Sequence, residues 1–412
     1  MAHEHPHEQP ARRQGVAISA REVSLQDGHP LLKACWIAGA IGLVALVAAF
    51  ALGATGEGAA RFWGAYWTAW LYWVTLAVGG LFFVLLQHVT RAGWSVTVRR
   101  LAEHWAAILP LLAVLAIPAA FGAGELFSWM GAETAHDPLV AQKRAFLNPL
   151  GFYLRSAVYL AVWGLLAWWL RRTSLRQDAS GDPALTRRLQ AVSAPGMVAF
   201  AVTLSLAGFD WVMSLDPHWY STIFGVYLFA GSTMAILALL VLLGIAFERR
   251  GPLAGMVTTE HFHDLGKLLL SFVVFWAYIG FSQFMLIWYA NMPEETIWYR
   301  HRLEHGWDRV TLALVLGHFV LPFLVLLSRD VKRRRLPIAA AALWLLLMHY
   351  LDLYWLVMPA LSESFRPHWL DLVTFVGVGG LALGAFGWLV RRPALVPVAD
   401  PRLPEALSFE NM

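Results

Sequence analysis

Ten stretches of this sequence are too apolar and too long to be ordinary core helices. They run over residues 30–54, 61–89, 97–122, 148–171, 191–215, 218–248, 265–290, 308–328, 336–358 and 370–391. Each holds roughly 20 or more mostly apolar residues, enough for a helix to cross a hydrocarbon core about 30 Å thick. A spanning segment must satisfy its backbone groups internally, so these segments predict helices. Composition agrees: 58% of the 412 residues are hydrophobic and 14% are charged. Soluble domains carry about 45–50% apolar and about 25% charged residues. The fold expected is therefore an all-α polytopic membrane protein with about ten transmembrane helices.

Most of the 31 lysines and arginines fall in the loops and tails of one side, including Arg99, Arg100, Arg171, Arg172 and the run Lys332 to Arg335. The positive-inside bias places that side, and both termini, in the cytoplasm. The loops around 123–147, 291–307 and 359–369 then face outward, and the two longer ones suit docking of a partner. The net charge of +4 does not point to nucleic acid, because the basic residues sit in short inter-helix loops. Many of the 21 tryptophans, among them Trp63, Trp94, Trp219, Trp298 and Trp369, read as interfacial belts. Cys35 is the one cysteine, which excludes a disulfide framework, an iron–sulfur ligand set and a C-x-x-C-H haem attachment. Residues 1–29 form a polar tail with His3, His5 and His7, and no cleavable signal peptide is expected there. Residues 392–412 form a second tail.

The second to fifth and sixth to ninth segments read as two copies of one four-helix unit, over 61–215 and 218–358. The fifth carries Asp210 and is followed by Pro217-His218-Trp219. The ninth carries Asp352 and is followed by Pro367-His368-Trp369. The third and seventh open on acid–histidine pairs, Glu103-His104 and His263-Asp264. Same-orientation duplication is a known way to build membrane carriers and redox subunits. It leaves 30–54 and 370–391 as peripheral helices beside two four-helix bundles.

An ionised aspartate near the bilayer centre costs about 2.5–3.5 kcal/mol on insertion scales, so it needs a partner or a purpose. Arg155 enters the fourth segment from outside and is in reach of Asp210. The pair reads as a proton-carrying or quinol-binding site, or as a structural tie. His318 and His349 sit midway along adjacent antiparallel segments, with Asp352 about one turn beyond His349. They read as a proton relay, as ordinary core histidines, or as bis-histidine haem ligands. His263, Asp264 and Lys267 gather with His88 and His261 on the basic side and read as a proton entrance, although Asp264 and Lys267 can equally pair on one helix face. Gln283 and Tyr278 add polar groups inside the seventh segment, whose far end carries Glu294, Glu295, Arg300 and Arg302.

Three stretches carry a resemblance. They are Gly208-Phe-Asp-Trp-Val-Met-Ser-Leu-Asp-Pro-His-Trp-Tyr220, His263-Asp-Leu-Gly-Lys-Leu-Leu269, and Phe275 through Gln283 to Trp288-Tyr-Ala-Asn-Met-Pro-Glu-Glu-Thr-Ile-Trp-Tyr299. With Lys143 to Asn148, Arg155 and Trp163, they resemble the ActF-type subunits of bacterial alternative complex III, a quinol:electron-acceptor oxidoreductase. The wider relatives are NrfD-like polysulfide reductase membrane subunits, and the likeness covers roughly residues 30–392. It implies ten helices in two four-helix bundles plus two. It implies a bacterial inner-membrane location and three kinds of partner: a sister NrfD-like subunit, an outer iron–sulfur subunit and haem c subunits. It implies no metal or covalently bound cofactor in this chain, with quinone or quinol as the small molecule it would meet. In the family the sister subunit has the better-supported quinol site, and a proton-conducting role is proposed for the subunit type resembled here. That role would fall on Arg155, Asp210, His318, His349 and Asp352, with His263, Asp264 and Lys267 at the inner mouth. The competing readings are a stand-alone secondary transporter, a b-type cytochrome and a structural scaffold.

Overall fold

The computed structural model describes residues 18–54, 58–131, 134 and 136–410. His3, His5 and His7 and most of the 1–29 tail lie outside the described residues. Among the described residues the protein is helical, with one isolated bridge between Ser24 and Ala394. Ten helices are long and apolar enough to cross a membrane. They are α1 (Pro30–Gly53), α2 (Ala59–Val89), α3 (Val96–Ala120), α4 (Pro149–Ser180), α5 (Ala184–Leu215), α6 (Phe224–Arg249), α7 (Thr259–Ala290), α8 (Trp307–Leu327), α9 (Arg335–Ala360) and α10 (Trp369–Val390). This is the polytopic all-α membrane fold that the hydropathy pattern predicts.

Two rings of helices share a central seam. α2, α3, α4 and α5 pack around one axis, and α6, α7, α8 and α9 around another. The seam is α2 against α6, with α5 and α9 completing it, so α2 and α6 are the most buried spans. Lipid tails are as apolar as leucine, so helices in a bilayer associate through close van der Waals approach. A Cβ on Gly79 would lie 2.3 Å from the Ser232 carbonyl oxygen, which shows how closely the two backbones meet. α1 and α10 form the outlying pair through a second such contact. A Cβ on Gly380 would lie 2.3 Å from the Ala38 carbonyl oxygen. The rest of α1 presents Val44, Val47 and Leu52 outward.

The described parts of both tails meet on one face, where the Leu395 amide donates to the Val23 carbonyl at 2.8 Å. We call this the terminal face and the other end the distal face. α4 and α5 overrun their apolar segments on the terminal face, so Arg171, Arg172, Arg176, Arg187 and Arg188 ride on helices instead of in a loop. On the distal face the 123–147 stretch holds three short helical turns, and 291–307 holds the helix Pro293–His301. The aromatic belt is smaller than composition suggests. Trp63, Trp219 and Trp298 are buried, and Trp219 stacks on Trp298 at 4.3 Å, whereas Trp369 is exposed.

α8 contains a π-helical stretch, Leu314–Val320, directly before Pro322. Proline has no N–H and crowds the preceding turn, and a widened turn accommodates it. His318 sits on that stretch, turned fully inward.

Two buried aspartates with different partners

The first bundle buries Asp210 completely. Arg155 of α4 grips it with both arms: Nε donates to Oδ2 at 2.9 Å and Nη2 to Oδ1 at 2.7 Å. Tyr159, one turn along α4, donates to Oδ2 at 2.8 Å. Arg155 also donates to the Phe146 carbonyl at 2.8 Å and lies 4.0 Å over the Phe146 ring. The charge is therefore compensated and its lone pairs are occupied, as a buried ion pair requires. Geometry of this kind ties α4 to α5.

Asp352 in the second bundle is 2% exposed and surrounded differently. Its donors are the Tyr227 hydroxyl of α6 to Oδ1 and the Trp276 indole N–H of α7 to Oδ2 at 3.2 Å. Neither is charged, and among the described residues no cation pairs with it. A carboxyl group held by neutral donors can exchange a proton without breaking an ion pair. The two aspartates, read from sequence as equivalent, are thus not equivalent.

His349 and His318 flank Asp352 without bonding to each other. His349 Nε2 lies 2.9 Å from the Thr75 hydroxyl of α2, which itself donates to the Tyr72 carbonyl at 2.8 Å. The single hydroxyl hydrogen is thereby used, so His349 donates from Nε2 and keeps a bare Nδ1. That Nδ1 faces Gly231 of α6. A Cβ there would lie 3.2 Å from Nδ1 and 3.9 Å from Asp352 Oδ2. The missing side chain thus lets His349 pack closely on the α6 backbone beside Asp352. His318 stacks on Trp276 at 4.0 Å, and neither of its nitrogens has a hydrogen-bond partner. Trp276 therefore stands between His318 and the carboxyl group, where the sequence suggested a direct histidine pair.

Polar groups continue from Asp352 toward the distal face. Tyr227 packs against Gly280 of α7, one turn before Gln283. Gln283 accepts from the Ser221 hydroxyl at 2.9 Å and donates to the Tyr299 hydroxyl at 3.1 Å. Burial pushes Tyr299 up to about 12. Next to it Arg302 is 3% exposed and donates to the carbonyls of Trp298 at 3.0 Å, Trp355 at 3.2 Å and Leu356 at 3.0 Å. Its guanidinium lies 3.4 Å over the Trp298 ring. Burial pulls Arg302 down to about 9, with the Asp216 carboxylate opposing, so it stays charged at neutral pH. A fixed positive charge thus sits about one helical turn distal to Asp352. Tyr278, in contrast, is 63% exposed on the outer side of α7 and joins none of these groups.

Toward the terminal face the buried side chains of the second bundle are mostly apolar. Leu265, Leu269 and Val273 are buried on α7 between Asp264 and Trp276, as are Leu240 and Val241 of α6 and Leu345 and Leu346 of α9. His263, Asp264 and Lys267 lie beyond these residues. Asp264 and Lys267 form an ion pair one turn apart, and His263 is half-buried beside them. His261 caps its own helix, its Nδ1 accepting from the Thr258 amide at 3.1 Å. The predicted entrance and Asp352 are therefore separate clusters.

The terminal face of the first bundle holds a cluster that sequence reading assigned to loop charges. Arg99 and Arg100 are inside α3 and fully buried. Arg100 Nε lies 2.9 Å from Glu103 and Nη1 lies 2.9 Å from Asp178 of α4. Arg99 reaches Asp400 of the C-terminal segment at 2.5 Å. Counting charge without periodicity hid them. Arg99, Arg100 and Glu103 fall within one turn of a helix covered on every side.

Fold and site define a class: a polytopic helical membrane protein whose two bundles bury one aspartate held by a guanidinium, Asp210, and one held by neutral donors, Asp352. Compared with known proteins, the chain matches no family model and has no significant match among curated proteins.

Proposed function

We propose that this protein is a membrane subunit, without a redox centre of its own, of a bacterial quinol-oxidising complex of the alternative complex III type. In this reading its second bundle passes protons between Asp352 and the distal face, and electrons travel in partners. Those partners are a sister NrfD-like subunit, an iron–sulfur subunit and haem c subunits docked on the distal side, with both termini in the cytoplasm. The single observation that carries the reading is Asp352, a buried carboxyl group with neutral donors only. Retaining such a group inside a membrane calls for a purpose. Both His349 and Asp352 border the position on α6 that Gly231 leaves without a side chain. Tyr227, Tyr299, Gln283 and Ser221 offer hydroxyl and amide groups on the way out.

Quinone has a place in the same reading. A cavity of about 870 Å³ opens between α3 and α4 over Trp67, Trp70 and Trp211. Its walls are mostly alanine, other aliphatic and aromatic side chains, with the hydroxyls of Tyr153 and Ser156 among them, and ligand pockets typically span about 300–1,000 Å³.

The test is Asp352→Asn in the assembled complex. Quinol-driven turnover and proton release should fall together while haem-bearing partners still co-purify. Normal turnover with normal proton yield would refute the reading. Isolation of the chain from native membranes without such partners would favour a transporter instead, and a Soret band in the isolated chain would favour a b-type cytochrome.

A further inference from the structure

A second, smaller cavity of about 190 Å³ lies at the distal ends of α2, α9 and α10. Arg61, Trp307, Ser362, Ser364, Arg366 and His368 line it. Its hydrogen-bonding inventory is lopsided. Arg61 Nη2 is committed to Asp371, the Tyr354 hydroxyl and the Arg366 carbonyl, but Nη1 meets only the Met358 sulfur at 3.4 Å. Thioether sulfur is a weak acceptor. The Trp307 ring is 1% exposed and its indole N–H has no acceptor. Indole can only donate, so a buried and unmet N–H is costly. His368 Nδ1 accepts from the Leu370 amide at 3.3 Å, which leaves its ring hydrogen on Nε2. Arg366 is exposed at the rim, and its side chain pairs with no carboxylate among the described residues. Among nearby carboxylates, Asp371 is already shared by Arg61, Tyr354 and the His368 amide, while Glu363 and Asp308 adjoin lining residues in the chain without lining the cavity themselves.

Donors and positive charge thus converge on a space with no carboxylate of its own in the lining beyond the one already shared. We infer that this cavity binds a phosphate-type oxyanion. Guanidinium forks match the paired oxygens of phosphate, and such charge-assisted bonds are the stronger kind. Arg366 and the free arm of Arg61 supply the charge, Trp307 and His368 fix the orientation, and Ser364 adds a hydroxyl. The site opens where three membrane-spanning helices end, so the oxyanion has two sources: the phosphodiester of a membrane lipid headgroup, or free inorganic phosphate. It stands apart from Asp352 and does not depend on the proton reading.

The test uses the full chain in detergent with two variants, Arg366→Gln, which changes an exposed side chain, and Trp307→Phe, which keeps the ring and removes the N–H. Native mass spectrometry reads retained phospholipid, and ³¹P line broadening reads binding of inorganic phosphate. A phospholipid retained by the wild type and lost in both variants supports the site with a lipid source. Saturable broadening by phosphate, weakened about tenfold or more in both variants and without retained lipid, supports it with a free source. Neither signal in the wild type, or either signal unchanged in both variants, overturns the inference.

Discussion

Tyr227 donates its phenolic hydrogen to Asp352, and the Trp276 indole is that carboxyl group's only other side-chain donor among the described residues. In the first bundle Asp210, which the sequence pattern pairs with it, is held by a guanidinium. Two buried aspartates thus sit in two electrostatic settings. The difference makes distinct predictions for the two.

Removing the Tyr227 donor should leave the fold intact and disturb proton exchange. In Tyr227→Phe, turnover of the assembled complex should fall on the order of tenfold or more, the scale of a positioned proton-transfer group. Asp352→Glu should keep part of it, because a carboxyl group remains. Stopped-flow quinol oxidation with a pH-sensitive dye reads both. Full activity in Tyr227→Phe would remove that hydroxyl from the mechanism.

At Asp210 the expected loss is of stability. Asp210→Asn leaves Arg155 without its counter-charge beside a buried amide. Breaking one partner of a buried pair costs about 3–5 kcal/mol, and Arg155 keeps some water access, so about 3 kcal/mol is expected. Thermal unfolding of the solubilised chain should drop clearly. An unchanged melting temperature together with lost turnover would instead make Asp210 a functional group.

The α1–α10 contact is testable through the single cysteine. Gly380→Ala places a methyl group where the Ala38 carbonyl sits, so α1 must move away. Cys35 packs on Gly387 of α10 and is half-buried. Maleimide labelling of Cys35 should therefore become several times faster in Gly380→Ala. Equal labelling rates would mean the pair absorbs the methyl group elsewhere.

A loop on the distal face should loosen in acid. The hydrogen bond from His218, at 2.6 Å, holds Asp137 below the usual carboxylate range, and the Leu139 and Val140 amides add to this. A lowered carboxylate pKa means the contribution is complete above the ordinary value and is lost as pH falls through the lowered one. Relative to intrinsic rates, hydrogen exchange at Leu139 and Val140 should be slow near pH 6 and should rise only once pH falls below the ordinary aspartate range. Asp137→Asn should remove that pH dependence.

Several site residues were visible in the sequence because a charge inside an apolar segment is conspicuous whatever surrounds it. Asp210, Asp352, His318, His349 and Gln283 all stand out in this way, and all are buried. Their partners were not visible. Tyr227, Trp276 and Thr75 are ordinary members of apolar helices until another helix brings a carboxyl or imidazole group to them. Arg99 and Arg100 misled for the opposite reason. Near a segment end a charge looks solvated, and only Asp178, Glu103 and Asp400 arriving from three places reveal a buried network.

The sequence alone determined that ten segments form helices long and apolar enough to cross a membrane among the described residues, since hydrocarbon leaves a backbone few other options and hydropathy is a sum over neighbours in the chain. Tertiary structure alone decided which carboxyl group meets a cation, which meets neutral donors, and where leucine and valine are buried in the second bundle. Those outcomes depend on distances of about 3 Å between residues far apart in sequence, which no local pattern encodes.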